Sequence, residues 1–416
     1  MLKHYLTMTI AVLKRRPFYT AISLFGISFT LLVLMVFVAM ADHALAPMAP
    51  ESRQDRMLGV QSARMFGPES AWSSNAGYML FDKYARTLPG VEALTIFSSF
   101  QSVATYLGDQ RITSQMKRTD GNFWRVFDFT FIEGGPYGQA DVDEARFVAV
   151  ITRATRERLF PGAASALGKT FEADGQSFRV VGVVENVPDI RYVPFSDIFA
   201  PITTAKTDAY KRDIMGDFQA VALARTRDDL PIIREEFNAR LSRLELPDKA
   251  YKTLVAPFET KYDAIARESP LADRSSPDRQ GSKLTVFLAI LALVFVTLPT
   301  VNLVNVNISR ILERASEIGV RKAFGAPTRQ LIAQFVVENV ILTLLGGAIG
   351  LVLSGLVLRA MNQSGFIAHS AFTINARVFA YAVLIAFAFG VISGVYPAWR
   401  MARLHPVEAL KGGPSR

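Results

Sequence analysis

Three sets of residues in this 416-residue chain have types and spacings that could do chemistry. Ala163 to Thr170 reads A-x-x-x-x-G-K-T, a relaxed form of the loop in which glycine-rich backbone amides and a helix N-terminus cradle phosphate. Its first position is Ala163, Lys169-Thr170 runs straight into an expected hairpin, and no second nucleotide motif follows, so the match is discounted. The four His, at 4, 43, 369 and 405, show neither H-x-x-x-H spacing nor clustered carboxylates, and His43 and His369 read as solvated surface residues. Ser282 and Ser393 lack the context of a nucleophile elbow. Zero Cys removes disulfides, thiolate zinc sites and cysteine nucleophiles. Neither a catalytic nor a metal site is expected, and no cofactor is expected in this chain. The third set is Glu313 to Ala326, charged, amphipathic and bounded by Gly325 and Pro327. A short helix of this kind lies along a membrane and offers one face to a soluble partner, or is simply a solvated helix in a basic loop.

The elements that must position these residues follow from how grease and charge are distributed. Half the residues are apolar and 20% are charged, with mean hydropathy +0.23, a mixture of membrane and water-exposed parts. Four stretches suit a bilayer, which needs about 20 apolar residues: 18–41, 284–309, 335–358 and 378–399. The first follows Lys14-Arg15-Arg16 and ends near Ala39-Met40-Ala41, as a signal peptide would. Its uncharged run of 24 residues is longer than a signal's apolar core of about 7 to 15, which favours a retained span.

Residues 42–283 hold 31 Lys and Arg against 33 Asp and Glu, while the rest of the chain holds 15 against 4. The whole excess behind the net charge of +9 therefore belongs to the membrane half, which argues against a nucleic-acid footprint. Short basic loops stay in the cytoplasm. Lys3, Lys14, Arg15 and Arg16 place 1–17 there; Arg310, Arg314, Arg321, Lys322 and Arg329 place 310–334 there; Arg400, Arg403, Lys411 and Arg416 place 400–416 there. Both termini are thus expected to be cytoplasmic, with 42–283 and the short loop 359–377 outside.

Between 42 and 283 short β-rich runs are punctuated by Gly, Pro and Asp, as in a mixed α+β domain. Expected strands are 91–107, 111–117, 146–151, 178–184 and 218–224, and Asp174-Gly175 marks a hairpin. Expected helices are 73–87, 152–160 and 230–244. In the third span Gly346, Gly347, Gly350 and Ser354, and in the fourth Gly390 and Gly394, are small residues at the spacing that lets membrane helices approach closely. Gln334 and Glu338, with Asn302, Asn305 and Asn307, read as interfacial residues that snorkel or hydrogen-bond.

The run Glu313-Arg314-x-x-Glu317-Ile318-Gly319-Val320-Arg321-Lys322-Ala323-x-Gly325-Ala326 resembles the cytoplasmic loop of MacB-type and FtsX-like ABC transporter permeases. The resemblance continues through 331–358 to Tyr396-Pro397-Ala398-x-Arg400-x-Ala402-Arg403-x-x-Pro406-Val407-Glu408-Ala409-Leu410, which looks like the family's C-terminal signature. Leu159-Phe160-Pro161-Gly162, Leu167-Gly168-Lys169-Thr170 and Val180-Val181-Gly182-Val183-Val184 are similar to the family's periplasmic core domain. The resemblance is strongest after residue 284 and vaguest between about 45 and 145.

It implies a bacterial inner-membrane protein with four transmembrane helices and a MacB-type periplasmic core domain of mixed α+β fold between the first two. It also implies a coupling helix in 310–334 that docks on a separate cytosolic ABC ATPase, which would bind the ATP and Mg. By that analogy Glu313, Arg314, Glu317, Ile318, Gly319, Arg321, Lys322 and Gly325 lie at or beside the contact. Arg321 and Lys322 can pair with acidic groups there, while Gly319 and Gly325 allow close approach. The plainer alternative is that Glu317 and Arg321, four apart, only brace each other. Some relatives carry the ATPase fused ahead of the first span; with 17 residues before that span, this chain is expected to rely on another polypeptide.

The resemblance further implies a second permease subunit, with a periplasmic adaptor or outer-membrane channel as further candidate partners, and export or extraction of a periplasmic or membrane-inserted substrate by mechanotransmission. The alternative is ATPase-gated signalling to a cell-wall hydrolase.

Overall fold

The computed structural model describes residues 17–107, 110–294, 328–365 and 372–377, with scattered positions between 297 and 391. The chain divides into two units, one comprising Ala44–Phe287 with Ile367–Ser370 and the other Met1–His43, Leu288–Phe366 and Ala371–Arg416, whose described residues are mostly helical.

In the helical unit, α1 (Pro17–Leu45) is followed much later in the chain by a helix at Thr328–Ser364. Each is long and apolar enough to cross a membrane. At about 1.5 Å per residue either helix exceeds the roughly 30 Å of hydrocarbon. The second begins inside the segment expected as a cytoplasmic loop and ends beyond 358, where the side chain of Asn362 exchanges two hydrogen bonds with the main chain of Phe372. His43 does not sit in water as expected: it is buried at the end of α1, edge-on to Phe372 at 5.0 Å, where the two rings exclude solvent.

The outer unit is built on fourteen strands. In chain order these are β1 (Met57–Val60), β2 (Ala63–Phe66), β3 (Ala71–Ala76), β4 (Val91–Ser98), β5 (Gln101–Leu107), β6 (Gln110–Thr119), β7 (Phe131–Gly134), β8 (Val148–Thr152), β9 (Thr170–Ala173), β10 (Gln176–Val184), β11 (Ile198–Pro201), β12 (Met215–Gly216), β13 (Phe218–Ala224) and β14 (Thr253–Val255). Six of them close a ring, β6-β5-β9-β10-β8-β11, because β11 pairs antiparallel with β8 and parallel with β6. Closure removes free edges and turns alternate side chains inward, where Val103, Met116, Ile151, Phe171, Phe178, Val180 and Ile198 form one core. All five residues of β8 are buried, as its unbroken apolar sequence requires of a strand covered on both faces. Leu159 of α5 (Arg153–Leu159) joins this core, and Thr152 caps that helix by accepting from the Thr155 amide.

The other lobe centres on β13, all seven residues of which are buried between β4 and β1. Three helices lie over it: α2 (Tyr78–Tyr84), α3 (Phe123–Val126) and α6 (Asp229–Leu241). Leu80, Phe81, Phe123, Val126 and, four positions apart, Ile233, Phe237 and Leu241 supply the apolar contacts. The remaining short helix of the midsection, α4 (Gln139–Asp143), begins where Asp141 accepts from the Gly138 amide. β6 belongs to the ring and also meets β4, through Thr119 opposite Phe97.

Two sequence expectations fail locally. The helix expected over 73–87 is strand β3 followed by α2, because Ser74 and Asn75 are claimed by pairing with β2 and β12. Gly77 marks the break; a Cβ there would fall 1.8 Å from the carbonyl oxygen of Asp213. The single strand expected over 91–107 splits at Ser99-Phe100, where Phe100 turns to pack on Tyr192 and Phe195. The Asp174-Gly175 hairpin joins β9 to β10 with φ of 54° and 68°, the left-handed pair that such a turn demands.

Candidate functional site

The phosphate-loop look-alike has no phosphate site. Thr170 opens strand β9 rather than a helix, and Lys169 lays its ammonium 5.4 Å from the ring centre of Phe160. Among the described residues no group of three or more His, Asp or Glu is arranged to hold a metal ion.

A dense buried polar network lies instead within the outer unit, among the residues that follow α1, the segment 259–267 and the start of α8 (Gly281–Val294). Its centre is α7 (Lys261–Arg267), a seven-residue helix. Thr260 and Asp263 form a reciprocal cap: the hydroxyl of Thr260 accepts from the Asp263 amide at 3.1 Å and donates to Asp263 Oδ2 at 2.8 Å. The preceding residue, Glu259, exchanges backbone hydrogen bonds with Gly59 of β1 at 2.8 and 2.9 Å, which ties α7 to the strand beside β13.

From this helix one set of contacts reaches the root of α1. Lys261 donates to Glu51 Oε2 at 2.7 Å, and the same carboxylate takes Arg191 Nη1 at 3.2 Å. Arg191, fully buried, also donates to the carbonyls of Ala46 at 2.7 Å and Met48 at 3.2 Å. One guanidinium thus holds three points of the segment just after α1. Burial pulls Arg191 and Lys261 below their ordinary pKa, and the Glu51 carboxylate opposes that pull on both.

A second set reaches the root of α8. Asp263, wholly buried, accepts from the Gly281 amide at 3.0 Å and from Arg279 Nε at 3.1 Å. Tyr262 and Thr285 share a hydroxyl hydrogen bond at 2.8 Å. At the far end of α7, Arg267 makes a two-point pair with Glu259, at 2.9 and 2.5 Å. It also donates to the carbonyls of Ser276 at 2.6 Å and Asp278 at 2.8 Å. Burial raises the pKa of Glu259, and its bonds to Arg267 work against the rise.

In the helical unit α9 (Thr328–Ser364) meets α1 through glycine. A Cβ on Gly346 would stand 2.7 Å from Ile27 Cγ2, and one on Gly350 would stand 3.1 Å from both Leu31 Cβ and the Ser28 carbonyl oxygen. The Ser354 hydroxyl closes on the Gly350 carbonyl within α9. Glu338, expected at an interface, is buried.

Residues 20–240 match the model of the MacB-like periplasmic core domain, which is more than half of the chain, and 289–406 match that of the FtsX-like permease C-terminal domain. The chain belongs to the MacB-like, FtsX-like family of ABC transporter permeases. A macrolide export ATP-binding/permease protein MacB of Yersinia pestis bv. Antiqua is 26% identical to the permease over 314 residues, covering 74% of this chain and 43% of the relative. A pyoverdine export ATP-binding/permease protein, PvdT of Pseudomonas syringae pv. tomato, is 27% identical over 325 residues, 78% of this chain and 46% of the relative. The permease therefore spans under half the length of these curated relatives. The crystal structure of the periplasmic region of MacB from Actinobacillus actinomycetemcomitans is 16% identical, covers 44% of this chain and 85% of that one, and has a TM-score of 0.34.

Of the residues singled out from sequence, Gly346 and Gly350 lie at the α1–α9 contact. Glu313, Arg314, Glu317, Ile318, Gly319, Arg321, Lys322 and Gly325 lie outside the described residues, as do Gly390, Gly394, Pro397, Arg400, Arg403, Pro406 and Glu408. The network around α7 was not singled out from sequence. Its one local signal is Thr260-x-x-Asp263, the helix-start pattern ahead of Lys261–Arg267. Arg191 and Glu51 stand 140 positions apart, and no spacing rule joins them.

Proposed function

We propose that this chain is the permease subunit of an ABC transporter that turns ATP hydrolysis by a separate cytosolic ATPase into movement of its periplasmic core domain. The observation that carries the reading is the presence, on one chain, of a periplasmic core domain at 20–240 and a permease C-terminal domain at 289–406. The coupling helix at 313–325, with Arg321 and Lys322 facing acidic groups of the ATPase, supplies the cytoplasmic grip. ATP and Mg are held by that partner. Four spans, both termini in the cytoplasm and a second permease subunit complete the assembly in the inner membrane.

Export or extraction of a substrate from the periplasm or outer leaflet is favoured over control of a cell-wall hydrolase, because relatives are named as exporters of macrolides and of pyoverdine. Buried pairing at the roots of α1 and α8 suits a domain that must follow its membrane helices rather than hang from them. The test exploits the absence of native Cys: single cysteines on exposed outer-domain positions such as Glu172 are crosslinked across the assembled complex. Crosslinking that differs between nucleotide-free and ATP-trapped complexes is expected. Identical patterns in both states contradict the proposal.

A further inference from the structure

Two segments that run from membrane-length or apolar helices into the outer unit are each gripped by the same short helix. Lys261, the first residue of α7, holds Glu51 in the chain after α1; Asp263, two residues on, holds the Gly281 amide and Arg279 at the start of α8. The grip is made of charge rather than grease. Glu51, Arg191, Glu259, Asp263 and Arg267 are all buried, and each has its opposite number within the network. Removing one member of a buried pair strands the other charge, so such a network either stays whole or rearranges together. Its outlet is equally defined, since Glu259 is hydrogen-bonded through its backbone to Gly59 of β1, and β1 pairs with the buried β13.

We infer that α7 is a positioning element that ties the chain leaving α1 to the chain beginning α8, so that the two roots respond as one body and pass displacement to β1. Lys261 and Asp263 are its two hands, two positions apart on the first turn and so directed to opposite sides of the helix, and the Thr260 cap holds that turn in place. Gly281 completes the fit, because a Cβ there would lie 2.6 Å from Asp263 Oδ1. The inference deepens the coupling function proposed above and rests on it for its purpose, while the tie itself is a property of the chain alone.

The test is hydrogen–deuterium exchange on the full chain in nanodiscs, without any ATPase. Asp263→Asn removes the charge that holds the α8 root and touches nothing at the α1 root; Glu51→Gln does the reverse. If α7 joins the roots, Asp263→Asn speeds exchange over residues 46–52 as well as 279–284, and Glu51→Gln speeds 279–284 as well as 46–52. Coupling of this kind is reciprocal, and the cross-effect expected is roughly fivefold or more in each direction. A purely local structural role leaves the other root unchanged, and exchange confined to each variant's own root overturns the inference. Slow exchange retained in β8 and β13 shows that the domain stays folded. Should Asp263→Asn not yield folded protein, Lys261→Gln is read in the same way at 279–284. Failure here leaves the permease reading standing, whereas unchanged crosslinking in the ATP-trapped complex defeats that reading and leaves the tie intact.

Discussion

The amide of Gly281 donates to Asp263 Oδ1 at 3.0 Å, so closely that a methyl group on Gly281 would stand 2.6 Å from the same oxygen and 3.1 Å from the Tyr262 ring. Gly281→Ala must push a wholly buried carboxylate away from Thr260 and Arg279. Overpacking of this kind costs about 1–3 kcal/mol. A thermal unfolding midpoint of the full chain several degrees below wild type is expected, and an unchanged midpoint would show that the start of α8 yields freely.

Glu51 neutralises two cations, the fully buried Arg191 and the partly buried Lys261. Breaking a buried pair from one side costs roughly 3–5 kcal/mol, more than either partner contributes when both are present. Glu51→Gln is therefore expected to destabilise more than Glu51→Gln combined with Arg191→Met. Urea unfolding of the two variants decides between this and independent contributions, which would make the double variant the weaker protein.

Lys117 on β6 is fully buried, donates to the carbonyls of Tyr192 and Val193, and lies 5.1 Å from the ring centre of Phe97. Burial lowers its pKa from 10.5 to about 7, and the more distant Glu51 charge only partly offsets this. Between those two values the unfolded chain holds a proton that the folded chain lacks. Stability from this group therefore rises with pH across the window, and the full penalty is present below it. Lys117→Met is expected to flatten the pH dependence of the urea midpoint between about pH 7 and about pH 10, by Trp fluorescence. Equal slopes in both proteins would mean that Lys117 stays charged when folded.

At the α1–α9 contact, Gly346→Ala must displace Ile27, whose Cγ2 and Cβ would be 2.7 and 2.9 Å away, whereas Gly350→Ala meets the Ser28 carbonyl oxygen, which is backbone. Ile27→Ala removes Cγ2 but keeps the Cβ at 2.9 Å, so it is expected to rescue Gly346→Ala in part and to leave Gly350→Ala unrescued. Melting temperatures of the purified full chain in detergent measure both, and equal rescue would place the strain elsewhere.

Elements with strong local periodicity were legible before the structure. Strand 218–224 is an apolar run bounded by polar residues, α6 carries Ile233, Phe237 and Leu241 at helical spacing, and Asp174-Gly175 announces its turn. The helix expected over 73–87 fails because β3 is fixed by pairing, with the nearby β2 at Ser73 and Ser74 and with the distant β12, through Asn75 opposite Gly216 and Ala76 opposite Met215, and helical spacing does not report pairing. Closure of the ring was hidden for the same reason, since β11 meets β6 about eighty positions apart in sequence, at Ile198 opposite Met116. His43 was read as solvated because its polarity is local information, whereas Phe372, which covers it, is not. Likewise the charges at 51, 191, 261 and 263 look like ordinary surface residues until folding brings them inside.

The proposed coupling rests on Arg321 and Lys322 recruiting a nucleotide-hydrolysing partner. Co-purification of the cognate cytosolic ATPase with the full chain, wild type against Arg321→Glu combined with Lys322→Glu, tests it most directly. The doubly reversed chain is expected to reach the membrane in normal amount and to lose the ATPase. Undiminished recruitment by that variant would contradict it.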